Sequence, residues 1–306
     1  MSAPSRPASG VANGLVVGAH GRHYIVETDS GQRLRCHPRG KKSECVVGDR
    51  VHWAVAGDEG VIERVAERRN LLYRQDEWRS KAFAANLDRI LMLVCGEPMF
   101  SESQLTRALV AAAQAGIEVA IGLNKVDLPQ AELARQRLAP YRKMGVEVLE
   151  LALKTRPDEA LALLTPWLAG RTTLVLGPSG AGKSTLINRM VPAADAQVGE
   201  ISMALGTGRH TTTSTRWYWL GDTADAGALI DSPGFQAFGL HHVPPEDLAA
   251  RMPDLAPYLG QCRFYNCTHR HEPGCALRAA LERGDIDASR WRIYGEIHDE
   301  LSAPKY

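Results

Sequence analysis

The sequence lacks a charge excess of either sign, a large set of cysteines and any long apolar run. Its 306 residues carry 36 Lys and Arg against 35 Asp and Glu, so the formal net charge at pH 7 is only +1. Overall charge therefore gives no reason to expect a nucleic-acid partner, and such a reason must come from local patches. No stretch approaches the roughly 18 consecutive apolar residues of a membrane-spanning helix, so we do not expect a protein with transmembrane helices.

Only six cysteines occur, and three of them lie close together near the C-terminus beside a histidine. The other three, Cys36, Cys45 and Cys95, are scattered along the chain. This distribution favours a reducing cytoplasm and one metal site over a disulfide framework. The first ten residues are rich in Ser, Pro and Ala without an apolar core, so we expect residues 1–10 to form a disordered tail and not a signal peptide.

The pattern of apolar residues changes once along the chain. Short strands between glycine turns predict a small β-barrel over residues 11–75, and the polar stretch 75–86 is interpreted as a linker. After it, apolar strands alternate with helices, which predicts a parallel sheet with helices on both faces. The predicted barrel strands are 11–17, 22–27, 33–36 and 50–56, and the later strands are 89–95, 118–123, 147–151, 172–176 and 228–231. The predicted helices run from Ser101 to Gly116, after Pro129, over about 157–169, 275–283 and 289–301.

One segment matches the phosphate-loop pattern G-x-x-x-x-G-K-[ST] in full, between an apolar strand and a helix. Its glycines allow backbone N–H groups to turn toward phosphate oxygens, and the helix N-terminus adds a favourable dipole. We expect the amine of Lys183 to reach the outer phosphates and the hydroxyl of Ser184 to coordinate Mg2+. The predicted nucleotide contacts here are Gly177, Pro178, Ser179, Gly180, Ala181, Gly182, Lys183, Ser184 and Thr185.

A second motif, N-K-x-D, occupies residues 124–127 at the end of an apolar strand. The Asp127 carboxylate can accept hydrogen bonds from N1–H and the exocyclic amino group of guanine, a donor pair that adenine lacks. A site built around such a pair rejects the other base strongly. Asn124 is expected to contact the other edge of the base, and the stem of Lys125 to cover its face. Four residues recur by chance, but beside a phosphate loop this motif predicts a GTP site.

A third motif, D-x-x-G at 231–234, follows the last predicted strand of the sheet. An acidic residue at a strand end near the phosphate loop is the expected Mg2+ partner, usually through water, and here it is Asp231. The backbone N–H of Gly234 is expected to meet the γ-phosphate and to sense its loss.

The run G-R-H-T-T-T at 208–213 lies between the phosphate-loop helix and that strand. A threonine hydroxyl from it would complete the Mg2+ shell, and we favour Thr212; the alternative is a solvated loop. Residues 195–208 are predicted to form a mobile switch. Many GTPases carry a water-orienting glutamine where this chain has Phe235, so we predict slow unaided turnover. His210 is a candidate substitute, although a structural histidine fits the sequence as well.

The pattern C-x4-C-x-H-x5-C supplies three thiolates and one imidazole near the C-terminus, from Cys262, Cys267, His269 and Cys275. Four soft ligands without an open position are typical of a structural, tetrahedral Zn2+ site. We prefer His269 as the fourth ligand, and His271 is the competing choice. A redox role is disfavoured because the cluster has no C-x-x-C pair.

The motifs occur in an unusual order, because the base-reading segment precedes the phosphate loop and common GTPases have the reverse. The same sheet forms if the old termini are joined and new ones opened, since domain termini often lie close together. With a barrel before the motifs and the cysteine cluster after them, the chain resembles the small-ribosomal-subunit biogenesis GTPase RsgA family over about residues 11 to 300. The resemblance rests on segments 39–41, 47–49, 124–127, 177–184, 208–213 and 231–235 and on the four metal ligands.

The resemblance implies an α/β fold class. It implies a circularly permuted P-loop GTPase domain at 76–240, an N-terminal OB-fold β-barrel that binds ribosomal RNA at 11–75, and a C-terminal zinc-binding domain at 241–306. The implied cofactors are GTP or GDP, Mg2+ and one structural Zn2+. The implied partners are the small (30S) ribosomal subunit and its 16S rRNA, with hydrolysis stimulated by the subunit during its late maturation. A cytoplasmic monomer without membrane contact is expected.

One segment departs from the family pattern. Residues 150–155 align with the base-supporting S-A-K motif, yet Ala152 and Leu153 replace Ser-Ala. Base support is therefore expected from backbone N–H groups and from Lys154, with somewhat weaker guanine affinity.

Other functions stay open. A nucleotide-gated RNA- or ribosome-binding module with negligible intrinsic catalysis is consistent with Phe235, whereas a small-molecule kinase is disfavoured by the N-K-x-D motif and the threonine run. RNA contact is suggested by a basic loop at 38–42, and the alternative is a solvated basic face. Further basic residues near that loop are Arg68, Arg69, Arg74, Arg79 and Lys81.

Overall fold

The computed structural model describes residues 11–21, 23–40, 45–76, 79–194, 215–232 and 240–303. Within these ranges the chain forms thirteen β-strands and six α-helices. None of those helices is long and apolar enough to cross a membrane. Several predictions fall outside the described ranges: the tail 1–10, Lys41 and Lys42, the switch and threonine run 195–213 with His210 and Thr212, and Gly234 with Phe235.

The N-terminal strands form a closed barrel. They are β1 (Ala12–His20), β2 (His23–Thr28), β3 (Arg33–Pro38), β4 (Arg50–Ala56) and β5 (Glu59–Val65). They pair in the order β1-β2-β3-β5-β4, β3 and β5 are parallel, and β4 returns to β1. This is the five-stranded Greek-key barrel of an OB-fold. The barrel was predicted from sequence without β5, whose three apolar residues alternate poorly with its charged ones.

A hairpin occupies the stretch interpreted from sequence as a linker. Strand β6 (Leu71–Asp76) pairs with β7 (Arg79–Ala85) in a separate two-stranded sheet. The linker interpretation is wrong because it weighed the polar residues and not the apolar ones between them: Leu72 and Phe83 are buried in the main core. The hairpin also docks on the barrel, where the Ala85 N–H donates to the Val47 carbonyl at 3.0 Å.

The second sheet carries the alternating strands β8 (Arg89–Cys95), β9 (Glu118–Asn124), β10 (Glu147–Leu151), β11 (Thr172–Leu176), β12 (Arg216–Trp219) and β13 (Ala228–Asp231). Their spatial order is β10-β9-β8-β11-β13-β12. All neighbours are parallel except β12, which is antiparallel to β13. The sequence predicted this sheet apart from β12.

Helices cover both faces of this sheet, as predicted. They are α1 (Glu102–Ala115), α2 (Ala131–Lys143), α3 (Pro157–Leu168) and α4 (Lys183–Met190). Alternate residues of β8 enter two different apolar clusters: Ile90 and Met92 pack with Leu138 of α2, and Leu91 and Leu93 pack with α3 and α4. Period-two alternation into two apolar clusters is what a strand buried on both faces requires.

The predicted ends of α1 are confirmed. The Ser101 hydroxyl accepts a hydrogen bond from the Gln104 N–H at 3.3 Å, which satisfies one of the free amides at the helix start. Gly116 follows the last helical residue with φ 67°, the left-handed conformation that commonly ends a helix.

The barrel is joined to the second sheet through β1, which changes partners along its length. Its first half, residues 12–15, pairs with β4 and closes the barrel. After an irregularity between Val16 and Gly18, Gly18 pairs with Arg216 of β12. A side-chain bond reinforces the junction, because the Trp219 indole N–H donates to the Glu27 carboxylate of β2 at 2.7 Å. The two sheets therefore form one continuous eleven-stranded sheet.

The C-terminal region packs against α1 and α2. After several short 3-10 turns it contains α5 (Ala276–Glu282) and α6 (Ala288–Ser302). Arg290 of α6 has a side chain that is only 1% exposed and donates to both oxygens of Asp254, at 2.8 and 3.1 Å. The guanidinium also bonds to the Thr106 hydroxyl of α1 and lies 5.0 Å from the centre of the Tyr141 ring of α2. This buried network fastens the C-terminal region to α1 and α2.

Candidate functional site

The predicted nucleotide motifs meet at one edge of the parallel sheet. The phosphate loop follows β11, the base-reading segment ends β9 and continues past it, and Asp231 ends β13. Strands β9 and β10 lie on one side of β8 in the sheet, and the next strand in the chain, β11, lies on the other side. This reversal opens a crevice between the carboxyl ends of β8 and β11, which is the usual ligand position in an open parallel sheet.

The phosphate loop requires glycine at two points of close approach. Gly177 has φ 154°, and a Cβ added there would collide with the backbone carbonyl of Leu93 in β8. Gly182 has φ 109°, and its added Cβ would collide with the side chain of Asn124. The loop therefore lies directly against both β8 and the base-reading segment. Helix α4 begins at the next residue, so its N-terminus faces the loop.

Lys183 points into the phosphate loop. Its Nζ donates to the carbonyl oxygens of Gly177 at 2.7 Å and Pro178 at 3.1 Å. Burial lowers the pKa of this amine, and the nearby Asp231 opposes that shift. Ser184, the next residue, is exposed in the first turn of α4, where its hydroxyl is open to a ligand.

Asp231 is a buried carboxyl group, 8% exposed, at the end of β13. It is aligned with Val175 of β11 on one side and with Arg216 of β12 on the other. Burial raises the pKa of Asp231 to about 6, while the positive charges of Lys183 and Arg216 lower it. The Ser232 hydroxyl donates to the Val175 carbonyl at 3.0 Å and fixes the chain just after the carboxylate. A buried carboxylate at this position fits the hard-oxygen preference of Mg2+.

Asn124 joins three loops of the site. Its Nδ2 donates to the Ala181 carbonyl of the phosphate loop at 2.8 Å, and its Oδ1 accepts the Leu153 N–H at 3.2 Å. The side chain is 4% exposed. The sequence predicts a base contact for Asn124 and gives no sign of this second role, because both of its partners are backbone atoms of distant segments.

Lys125 and Asp127, the other two defined positions of the N-K-x-D motif, are less buried than Asn124. Lys125 has φ 62°, an uncommon conformation for a residue other than glycine, and its Nζ donates to the Glu97 carbonyl at 2.7 Å. The backbone of the motif is also fixed where the Val126 N–H donates to the Leu151 carbonyl at 3.2 Å. Asp127 itself is exposed, so its carboxylate is open to a base. Glu97, in the loop after β8, was not singled out from sequence, because it contributes a backbone atom.

The segment that replaces the S-A-K motif lies beside the base-reading loop. Ala152 and Leu153 are buried, 4% and 1% exposed, and Lys154 is exposed. The Ala152 carbonyl accepts the Arg156 N–H at 2.8 Å, which closes a turn before α3. The segment therefore keeps a defined backbone without the serine hydroxyl.

The four predicted metal ligands come together in the C-terminal region. Single ligand atoms of Cys262, Cys267, His269 and Cys275 all lie within 4.8 Å of one another. Nδ1 of His269 faces two of the thiols, 3.5 Å from the Cys262 Sγ and 3.6 Å from the Cys275 Sγ. Burial raises the pKa of the Cys267 thiol to about 12.

This cluster fits a tetrahedral soft-metal site. Three sulfur donors and one imidazole form the donor set that Zn2+ prefers, and clustered thiols ionise readily only beside a cation. The Ala276 N–H donates to the Cys262 Sγ at 3.4 Å, a bond that suits a thiolate. The competing ligand His271 is exposed and is not a member of the cluster.

Acidic neighbours compensate much of the predicted RNA-binding charge. Ion pairs bind Arg39 to Glu63 at 2.9 Å, Arg68 to Asp49 at 2.7 Å and Arg69 to Asp88 at 2.8 Å. Arg33 and Arg35 likewise pair with Glu27 and Glu59. The side chains of Arg74, Arg79 and Lys81 lie outside the described part of the chain. Arg39 keeps 71% of its side chain exposed despite its pair, so it stays accessible to a partner.

Comparison with known proteins gives consistent matches along the whole chain. Residues 65–241 match the RsgA GTPase family. The small ribosomal subunit biogenesis GTPase RsgA of Variovorax paradoxus is 56% identical over 319 residues, covering 100% of both proteins. The protein of the same name from Burkholderia pseudomallei is 53% identical over 305 residues, covering 98% of this chain and 96% of that protein.

Two solved structures are similar in fold. The crystal structure of YjeQ from Thermotoga maritima superposes with a TM-score of 0.72 at 28% identity, covering 96% of this chain and 100% of the other. The crystal structure of YloQ, described as a circularly permuted GTPase, gives 0.69 at 26% identity, covering 99% and 100%. The permuted sheet order, the convergent nucleotide motifs and these relatives lead to one assignment: the chain belongs to the RsgA family of circularly permuted GTPases.

Proposed function

We propose that this protein hydrolyses GTP to GDP and phosphate while bound to the small (30S) ribosomal subunit, and that it assists late maturation of that subunit in the cytoplasm. The observation that carries the proposal is the convergence of three nucleotide loops at one crevice. Asn124, in the base-reading segment, bonds to the phosphate loop through Ala181 and to the neighbouring 150–155 segment through Leu153, so a nucleotide would meet a prearranged site. The names of the relatives identify the kind of partner.

Within this crevice each element has a distinct chemical task. Asp127 reads the guanine edge, the Lys125 stem covers the base, and Lys154 supports it. The phosphate-loop amides and Lys183 hold the phosphates and stabilise the negative charge that develops in the transition state. Ser184 and Asp231 would hold Mg2+, which neutralises phosphate charge when bound; Thr212 would complete that shell and Gly234 would contact the γ-phosphate.

Two regions attached to the GTPase sheet and its helices are the proposed partner surfaces. The barrel carries exposed basic side chains such as Arg39 and is proposed to contact 16S rRNA. The C-terminal region 240–303, in which the cysteine and histidine cluster would hold one structural Zn2+, is the second proposed surface. The barrel is joined to β12, and the C-terminal region 240–303 is attached to α1 and α2. A small ribosomal subunit that contacts both regions would therefore fix the position of the nucleotide-binding sheet.

Small subunits are expected to accelerate GTP turnover strongly. Phe235 removes the usual water-orienting side chain, so the free protein should be slow and a docked subunit should complete the catalytic geometry, as partner proteins do for other GTPases by about 10³- to 10⁵-fold. Steady-state GTP hydrolysis with and without purified small subunits measures this, with large subunits as the control. Nucleotide-dependent binding without acceleration would favour the second candidate, a gated binding module.

Lys183→Ala is expected to reduce stimulated turnover by about 10²- to 10³-fold, the range seen when one transition-state donor is removed from a preorganised site. Arg189→Ala provides a matched control, since it removes a cation from the exposed side of the same helix. Single-turnover hydrolysis at saturating GTP separates the chemical step from binding. Equal rates for the two variants would remove Lys183 from the mechanism.

A further inference from the structure

The turn that supplies two of the four metal ligands contains an unusual backbone conformation. Residues 267–272 carry Cys267 and His269, and His269 has φ 64°. Among the described residues other than glycine, only Asn86 and Lys125 share a positive φ. The left-handed region is uncommon for residues other than glycine, so we expect contacts from the surroundings of His269 to hold it there.

Glu272 provides the contacts that hold this turn. Its Oε1 accepts the backbone N–H of Thr268 at 2.9 Å and the Thr268 hydroxyl at 2.6 Å. Its Oε2 accepts the His271 N–H at 3.1 Å. The carboxylate thus bonds on both sides of His269 in the sequence, with one oxygen committed to each side.

Helix α6 holds the same turn from outside. The Tyr294 hydroxyl donates to the Thr268 carbonyl at 3.4 Å. Arg270 donates to both oxygens of Asp299, at 2.9 and 2.8 Å. Since α6 is itself fixed to the GTPase helices by Arg290, the turn is clamped between a rigid helix and the Glu272 carboxylate.

We propose that Glu272 is a positioning residue of the metal site, which fixes the 267–272 turn so that Nδ1 of His269 faces the thiols of Cys262 and Cys275 before the ion arrives. The inference rests on the proposed Zn2+ site. A ligand set that is already ordered loses less conformational freedom on binding, so the ion is held more tightly.

Glu272 acts through the ligands and not as one of them. The group of atoms that lie within 4.8 Å of one another contains the three cysteines and His269 but not Glu272. Its oxygens are occupied by N–H and O–H donors, and Oε2 also lies 3.7 Å from the Cys267 Sγ. An ionised Cys267 would have no proton to donate to Oε2, whereas the bonds from Thr268 and His271 do not depend on the ionisation of Cys267.

Glu272→Gln is expected to release zinc about 10- to 100-fold faster than the wild type, the usual range for residues that orient metal ligands. The glutamine side chain has only one acceptor oxygen. Its NH2 group would replace the other oxygen, and it cannot accept a hydrogen bond from a backbone N–H. Glu272→Asp should show a smaller increase, because it retains both acceptors at a shorter reach. Glu282→Gln is the matched control, an exposed glutamate on α5 with the same change of charge.

The readouts are the rate of zinc release to a chromogenic chelator from the full-length protein and the ligand-field absorption of its Co2+ form. Release from Glu272→Gln at the rate of Glu282→Gln, with an unchanged Co2+ spectrum, overturns the inference. If Glu272→Gln does not fold, Thr268→Val decides: it removes one of the three bonds, so faster release supports the inference and an unchanged rate overturns it.

The zinc content of the wild-type protein tests the proposed metal site separately from the role of Glu272. Wild-type protein that retains less than about half an equivalent of zinc after purification without added metal would remove the site, and the role of Glu272 with it. Retained metal with unaltered release in the variants would overturn the role of Glu272 alone.

Discussion

Asp127→Asn is expected to convert the protein from a GTPase into an enzyme that prefers xanthosine triphosphate. The aspartate offers two acceptors to the N1–H and amino group of guanine, whereas asparagine offers one acceptor and one donor. Xanthine presents N1–H and a carbonyl at the same edge, which matches asparagine. A site that must leave a polar partner unpaired discriminates by about 10⁴- to 10⁵-fold, so the preference should invert by a large factor.

The structure makes this substitution a clean test. Asp127 is exposed, and the motif backbone is held by Lys125 through Glu97 and by Val126 through Leu151, so the loop should keep its shape. Competition between the two triphosphates in a turnover assay measures the preference. Asp158→Asn, an exposed change at the start of α3, is the control. Undiminished GTP preference in the Asp127 variant would mean that another group reads the base.

Arg290→Met should destabilise the attachment of the C-terminal region by about 3 to 5 kcal/mol, because it leaves Asp254 partly buried without its cation. The substitution keeps much of the side-chain volume, so the effect reports the lost ionic network. Arg292→Met, on the same helix, breaks only an exposed pair with Glu296 and should change stability by less than about 1 kcal/mol.

Limited proteolysis combined with denaturant unfolding can locate the loss. We expect the Arg290 variant to expose cleavage sites in 240–303 at denaturant concentrations that leave the barrel protected. A chain of 306 residues need not unfold in one step, so local protection is the appropriate measure. Equal behaviour of the Arg290 and Arg292 variants would show that the apolar contacts of α6 suffice to hold the region.

Local patterns predicted the parts of the fold that depend on local chemistry. Strands 89–95, 147–151 and 172–176 were predicted with correct ends, because they are apolar and bounded by turn residues. The ends of α1 followed from a capping serine and a terminal glycine. Strand β12 was missed because one of its two neighbours, β1, is far away in the sequence. The hairpin β6–β7 was missed because its polar residues were weighed above the buried Leu72 and Phe83.

The candidate site shows the same division. Motif spacing predicted roles for Lys183, Asp127 and Asp231, because phosphate, base and Mg2+ each favour a residue type, and the structure brings these three residues to one edge of the sheet. It could not identify Glu97 or the loop-joining role of Asn124, since those bonds use backbone carbonyl and amide groups. The proposed role of Glu272 could not be predicted either, because it depends on the backbone conformation of His269, which a sequence motif does not show.

The order of strands in the joined sheet has a consequence for synthesis of the chain. The barrel can close as soon as β5 has emerged, since all of its strands are contiguous in sequence. The GTPase sheet cannot do so, because β8 must wait for β11 to arrive on its second side, and the later half of β1 must wait for Arg216. Such distant pairings slow folding and leave sheet edges open to other chains. A nascent chain that stops before β11 would therefore hold a finished barrel, an unprotected β8 edge and no nucleotide site.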